Sequence, residues 1–462
     1  MQRMAPLDTW FLHVEDEADH MHIGSVGVFE GPPPAWQDLL GAIGARLEFV
    51  PRYRQRFQPV PLGLARPVWV DDPHFHLEYH VRHTALPRPG GFAQLRKLVG
   101  RVMGQQLDRR RPLWETWFIE GLEGDRWAML TKVHHCVVDG IAGTDLLAAI
   151  LSADPAEEVA PPGTWQPQPT PSPVALLRDA AAELLTQPSE QWRALRAAAR
   201  RPRAAARGVA SGLHGLAEFA GLARPLPACS LTGPIGPHRR WATAHTTLAE
   251  LKAVRRALGG TVNDVALAAI TAGYRDLLAK RGELHKVGEV RTMVPVSLRA
   301  EHERGEYHNR VSALFVPLPV TVSDARERYE RVRDTMRDMK ASGEEVAVAA
   351  LIDLSGMAPH MFVGLALRSA TLLVQRSGQP FVSSVTTNVP GPQHPLYLLG
   401  RRMLAAYPYV PIGEGLRTGV AIFSYDGQLT FGVTADYDRV PDVEVLADGI
   451  ERGVAELVDL IA

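Results

Sequence analysis

Trp127-Ala128-Met129-Leu130-Thr131-Lys132-Val133 runs directly into His134-His135-Cys136-Val137-Val138-Asp139-Gly140, and the fold is read outward from this junction. The first seven residues are mostly apolar and follow Asp125-Arg126, which is a strand pattern with a polar start. Ile141 to Leu151 then places apolar residues at the spacing of a helix that faces a core. Two imidazoles and a carboxylate therefore stand at a strand-to-helix junction, where a scaffold holds reactive groups rigidly. Unperturbed imidazole exchanges a proton near neutral pH. With no metal and no Ser or Cys nucleophile evident beside it, its simplest use is as a general base on a substrate hydroxyl or amine.

The string admits three other readings. His134 and His135 could be satisfied core residues with no chemistry, but the His-His-x-x-x-Asp-Gly pattern argues against that. His135 and Asp139 are four apart and could share a metal on one helix face. No further His or Cys cluster supplies the other ligands, so no metal is expected. Cys136 could be a nucleophile, but a small buried filler fits its setting better.

The chain has 462 residues, more than one hydrophobic core usually serves, so two domains are expected. Apolar residues make up 46% and charged residues 22%, as in a globular protein. A formal net charge of -1 argues against binding nucleic acid through overall charge. Two cysteines, Cys136 and Cys229, exclude a disulfide framework and favour a reducing compartment. No apolar run is long enough to span a bilayer, and the N-terminus lacks a signal-peptide pattern. A cytoplasmic protein is expected, with peripheral contact to a membrane or lipid inclusion left open.

Strands are expected over Met21–Phe29, Phe75–Arg82, Trp117–Glu120, Val290–Leu298, Val311–Val320 and Phe381–Val389, and a hairpin over Gly419–Asp436. Helices are expected over Trp36–Leu47, Gly91–Leu107, Leu248–Ala257, the long stretch after Val262, Ala325–Met339 and Val443–Leu460. The strict alternation of Phe75–Arg82 puts His76 and His80 on a polar, exposed face. Glu15, Asp16, Glu17 and Asp19 read as a solvated acidic loop. Thr261 or Asn263 is a helix cap.

Ser152–Pro173, rich in proline, reads as a semi-rigid linker. Val174–Arg207 follows, with Arg193, Arg196, Arg200, Arg201, Arg203 and Arg207, and is either a lipid-surface helix or an interdomain helix. The expected divisions are residues 1–155, 156–230 and 231–462. Alternating strands and helices in both halves predict two α/β layered domains.

His134-His135-x-x-x-Asp139-Gly140 is similar to the signature of the CoA-dependent acyltransferase superfamily. Other stretches narrow the resemblance to the bacterial wax ester synthase/diacylglycerol acyltransferase family, over nearly the whole chain. They are Pro6-Leu7-Asp8, Pro112-Leu113-Trp114, Gly233-Pro234-x-Gly236-Pro237, the pair Asn263-Asp264 and Thr387-Asn388-Val389-Pro390-Gly391-Pro392. In the last, Thr387 stands where the family has Ser. The resemblance implies two chloramphenicol-acetyltransferase-like domains with mixed sheets flanked by helices and a tunnel between them.

It also implies acyl transfer from a fatty acyl-CoA to a long-chain alcohol or a diacylglycerol, with acyl-CoA as substrate and no cofactor. A polar or polyketide-linked acceptor, or a non-catalytic lipid-surface role, are the alternatives. His135 is expected to be the base, with His134 in support and the oxyanion donor either Asn263, directly or through the helix end it caps, or backbone amides. Gly140 permits a tight backbone. Asp139 holds the turn against a buried arginine; Arg299 is favoured, with Arg291 and Arg310 open. Substrate contact is assigned to Asp264, Pro112, Leu113, Trp114, Arg299 and Asn388, although core packing and turn geometry are the favoured reading of Pro112-Leu113-Trp114.

Overall fold

The computed structural model describes residues 2–137, 149–157, 163–186, 226–297, 311–342, 381–413 and 415–462. Its strands in chain order are β1 (Gln2–Arg3), β2 (His22–Glu30), β3 (Gln55–Gln58), β4 (Val68–Asp71), β5 (Val81–Ala85), β6 (Trp114–Leu122), β7 (Arg126–His134), β8 (Arg239–Thr247), β9 (Val290–Ser297), β10 (Val311–Leu318), β11 (Ser384–Pro390), β12 (Tyr397–Leu398), β13 (Arg401–Tyr409), β14 (Thr418–Tyr425) and β15 (Gln428–Asp436). The helices are α1 (Pro6–Val14), α2 (Trp36–Arg46), α3 (Leu77–His80), α4 (Phe92–Met103), α5 (Pro173–Thr186), α6 (Leu248–Leu258), α7 (Val262–Lys280), α8 (Ala325–Ser342) and α9 (Val443–Asp459).

Two mixed six-stranded sheets carry the fold, ordered β12-β13-β2-β7-β6-β5 and β10-β9-β11-β14-β15-β8, beside a small β1-β4-β3 sheet. In the first, β7 is central, antiparallel to β2 and β6, while β5 runs parallel to β6. A strand covered on both faces must be apolar throughout. Trp127, Ala128, Met129 and Leu130 meet that demand and are fully buried, against the α2 side on one face and α4 on the other. In the second sheet, β11 lies parallel to β9 and β14. Its core is closed by α7, whose residues Val265–Ile270 are all buried, packed along α9. Mixed α/β sheets flanked by helices are what the sequence led us to expect.

The sheets are not divided at one point of the chain. Strand β13, from the 231–462 segment, pairs antiparallel with β2 from the N-terminal half. Trp241 on β8 donates to the Pro408 carbonyl at 3.2 Å, and Thr430 on β15 donates to the Ala406 carbonyl at 2.6 Å. Gly432 is required here, because a Cβ would fall 1.7 Å from the Pro408 oxygen. The second half is thus tied to the first through β13.

Phe75–Arg82 is not one strand. Leu77–His80 is a helical turn, and β5 begins at Val81. His76 is exposed as expected, but His80 is buried. Its ring stacks on Trp114 with centroids 4.7 Å apart, and its Nδ1 donates to the Trp114 carbonyl at 2.9 Å. That local packing overrides the alternation.

Candidate active site

Strand β7 ends at His134, and a short 3-10 turn, His135–Val137, follows it. The turn is tied to both neighbouring segments. The His134 amide donates to the Leu113 carbonyl at 2.9 Å, and the His135 amide donates to the Met21 carbonyl at 2.8 Å. Two neighbouring motifs, the Pro-Leu-Trp element and the start of β2, therefore fix the backbone that presents the imidazoles.

His134 is fully buried, and its ring serves the structure on both sides. Its Nδ1 accepts the Cys136 amide at 3.1 Å. The proton of the neutral ring then sits on Nε2, which lies 3.6 Å from Oε2 of Glu15. The same carboxylate places Oε1 3.2 Å from His22 Nε2 and accepts Nε and Nη2 of Arg109 at 2.9 and 2.6 Å. Burial would raise the Glu15 carboxyl pKa, but hydrogen bonding to His134 and His22 outweighs it and holds the group well below the usual carboxylate range. Burial pushes His22 down to about 3. Glu15 and Asp19 are thus buried, not solvated: helix α1 ends at Val14 and turns Glu15 inward onto the imidazoles.

His135 is held differently. Phe11 of α1 lies flat on its ring, with centroids 3.9 Å apart and planes 19° from parallel. Burial pushes the His135 pKa down to about 4, opposed by hydrogen bonding to its own backbone. At pH 7 the ring is neutral, the form that accepts a proton. Cys136 is buried and its thiol is pushed well above its ordinary value by burial, so it is no thiolate nucleophile.

The second group lies at the start of α7. Gly259 and Gly260 both take positive φ, 79° and 81°, and turn the chain into the helix. Thr261 caps it: its hydroxyl accepts the Asp264 amide at 3.2 Å, and the Asp264 carboxylate accepts the Thr261 amide at 2.7 Å. Asp264 is 4% exposed; its Oδ2 makes this cap, and its buried Oδ1 has no hydrogen-bond partner among the described residues. Asn263 faces β11, where Asn388 donates Nδ2 to its Oδ1 at 3.2 Å. Asn263 and Asn388, 125 residues apart, are thereby brought together. No hydrogen bond joins either to His135 among the described residues.

Pro112, Leu113 and Trp114 are all buried, and Trp114 Nε1 donates to the Tyr53 carbonyl at 2.7 Å. Arg291 donates to Glu289 at 2.6 Å and to the Phe381 carbonyl at 3.2 Å. Asp139, Gly140, Arg299 and Arg310, and the arginines from Arg193 to Arg207, lie outside the described residues. An open cleft of about 760 Å³ between α2 and the Phe75–Tyr79 turn contains none of the site residues.

Phe11, Glu15, His22 and Arg109 were not singled out from the sequence. A signal existed. Pro6 suits the first turn of a helix, and Leu7, Phe11 and Glu15 follow at four-residue spacing.

Residues 4–266 match the model of the wax ester synthase/diacylglycerol acyltransferase catalytic domain, and residues 307–458 match that of the family's C-terminal domain. A putative diacylglycerol O-acyltransferase from Mycobacterium bovis is 40% identical, over 99% of this chain and 96% of that protein. A solved wax ester synthase/diacylglycerol acyltransferase from Marinobacter aquaeolei is 27% identical, with each chain covered 100% and a TM-score of 0.68. The starter condensation domain of rhizomide synthetase shares the fold at 15% identity, with a TM-score of 0.59 over 100% of this chain and 94% of that one.

Proposed function

Since the chain belongs to the wax ester synthase/diacylglycerol acyltransferase family, we propose that it moves a fatty acyl group from acyl-CoA to a diacylglycerol or long-chain alcohol hydroxyl. The observation that carries the mechanism is the neutral, half-buried His135 imidazole on a turn pinned by two backbone hydrogen bonds.

The acceptor hydroxyl attacks the thioester carbonyl while His135 takes its proton. The carbonyl oxygen becomes an oxyanion, which needs a donor aimed at it. With its Oδ1 held by Asn388, Asn263 keeps its NH2 group for that task. As the tetrahedral species collapses, the carbon–sulfur bond breaks and protonated His135 returns its proton to the CoA thiolate. Ester and free CoA leave, with no acyl-enzyme formed.

A peripheral lipid surface suits such acceptors. Leu62 and Val174 are 83% and 73% exposed, and α5 packs against the turn carrying Leu62. No helix among the described residues is long and apolar enough to cross a membrane.

Free-thiol release from palmitoyl-CoA, measured with diolein, hexadecanol or an amine as acceptor, tests the reading. We expect turnover with diolein or hexadecanol and its loss in a folded His135→Ala variant. Near-wild-type turnover in that variant would refute the base assignment; turnover with the amine alone would refute the acceptor class.

A further inference from the structure

We propose that Phe11 and Glu15, one turn apart at the C-terminal end of α1, are positioning residues that together clamp the histidine pair. The proposal rests on His135 being the base. Phe11 covers one face of the His135 ring at 3.9 Å. A stacked aromatic blocks rotation of the imidazole out of its plane and leaves the in-plane nitrogens free for proton transfer. Phe11 packs in the same apolar cluster as Leu113, Cys136 and Val137, so its own ring is held from both the Pro-Leu-Trp element and the catalytic turn.

Glu15 acts on the neighbouring histidine. Its carboxylate sits between His134, His22 and the Arg109 guanidinium, and Arg109 also donates to the Leu12 carbonyl at 2.9 Å, fastening the end of α1. His134 in turn accepts the Cys136 amide, which sets the turn in which His135 stands. One helix thus governs ring plane through Phe11 and turn position through Glu15. A misplacement of about 1 Å in a reacting group costs on the order of 100-fold in rate, so a clamp of this kind acts on turnover.

The test uses the full chain and free-thiol release under saturating palmitoyl-CoA and diolein or hexadecanol, with melting temperature followed in parallel. In Phe11→Leu we expect kcat to fall by about tenfold or more with KM within about twofold. In Phe11→Tyr, which keeps the aromatic face, kcat stays within about twofold of wild type. Glu15→Gln keeps shape but not charge, and here too kcat falls while KM holds. Where Phe11→Leu does not fold, Phe11→Met carries the same expectation. Unchanged kcat in the folded Phe11 aliphatic variant, equal impairment of Phe11→Tyr, or a loss confined to KM would overturn the clamp. His135→Ala separates the two ideas: if it retains turnover, the base assignment fails by itself, whatever the Phe11 variants show.

Discussion

Asn388 donates its side-chain amide to the Asn263 carbonyl oxygen at 3.2 Å, joining strand β11 to the first turn of α7. The bond fixes which end of the Asn263 amide is acceptor and leaves its NH2 as donor. If that NH2 meets the oxyanion, Asn263→Ala lowers kcat by about 100- to 1,000-fold, the usual consequence of removing one such donor. Asn388→Ala leaves the donor present but unoriented, so a smaller loss, about tenfold, is expected. Asn388 is exposed, so its melting temperature should hold. Steady-state thiol release decides it; an unchanged kcat in Asn263→Ala removes that residue from the site.

Acid should destabilise the fold well before it protonates the base. Burial holds His22 near 3 and His80 near 4, against 6.5 in the unfolded chain. As pH falls below 6.5 the unfolded state binds protons first. Stability that is complete above 6.5 is therefore lost as pH descends from 6.5 through about 4 and then about 3, on the order of 5–10 kcal/mol in all. Glu15, also depressed, adds its loss below 4.5 in the same direction. Melting temperatures between pH 7.5 and 4.5 should fall steadily, and His80→Gln should flatten the slope; an equal slope in that variant would acquit His80. Over the range where the protein stays folded, kcat/KM should show no acid limb at 6.5, since His135 sits near 4.

These histidines show what the sequence could and could not yield. Strand β7 was legible because a doubly covered strand must be largely apolar, and Trp127–Leu130 is apolar without a break. A cap at Thr261 or Asn263 was legible from residue type, and the structure places it on Thr261, closed by Asp264 three residues on. Strands β8 and β13 were not: neither Arg239–Thr247 nor Arg401–Tyr409 has a continuous apolar face, and their partners are remote in the chain. His80 and Glu15 failed for a related reason. Both look like surface residues beside charged or alternating neighbours, and contacts more than 30 residues away, with Trp114 and His134, help to bury them.

The cap of α7 is made without Asn263. Thr261 and Asp264 make the reciprocal cap, whereas Asn263 between them makes none of its bonds. Thr261→Ala should cost about 1 kcal/mol of stability. Asp264→Ala should cost more, because the part-buried bond to the Thr261 amide is lost and a buried side chain is truncated. Neither should reach the rate loss of Asn263→Ala when assayed below its own melting transition. Denaturant midpoints give the first comparison and kcat the second. A normal midpoint with abolished turnover in Asp264→Ala would assign its carboxylate to substrate instead of the cap.

Trp114 decides between packing and substrate contact for the Pro112-Leu113-Trp114 element. Its indole is 1% exposed, hydrogen-bonded to the Tyr53 carbonyl and stacked on His80. A group so enclosed on the protein's own atoms has little surface left for a ligand. Removing it leaves a cavity and strands the Tyr53 carbonyl, so Trp114→Ala should cost about 3–5 kcal/mol. Trp114→Phe keeps most of the volume and the His80 stack, and should cost about 1–2 kcal/mol through the lost hydrogen bond. If packing is its role, Trp114→Phe below its melting point keeps KM for acyl-CoA and acceptor within about twofold. A stable Trp114→Phe variant with KM raised tenfold would show that the indole touches substrate. Leu113 then becomes the next residue to test, since its carbonyl holds the His134 amide at 2.9 Å and any shift in the element passes directly to the catalytic turn.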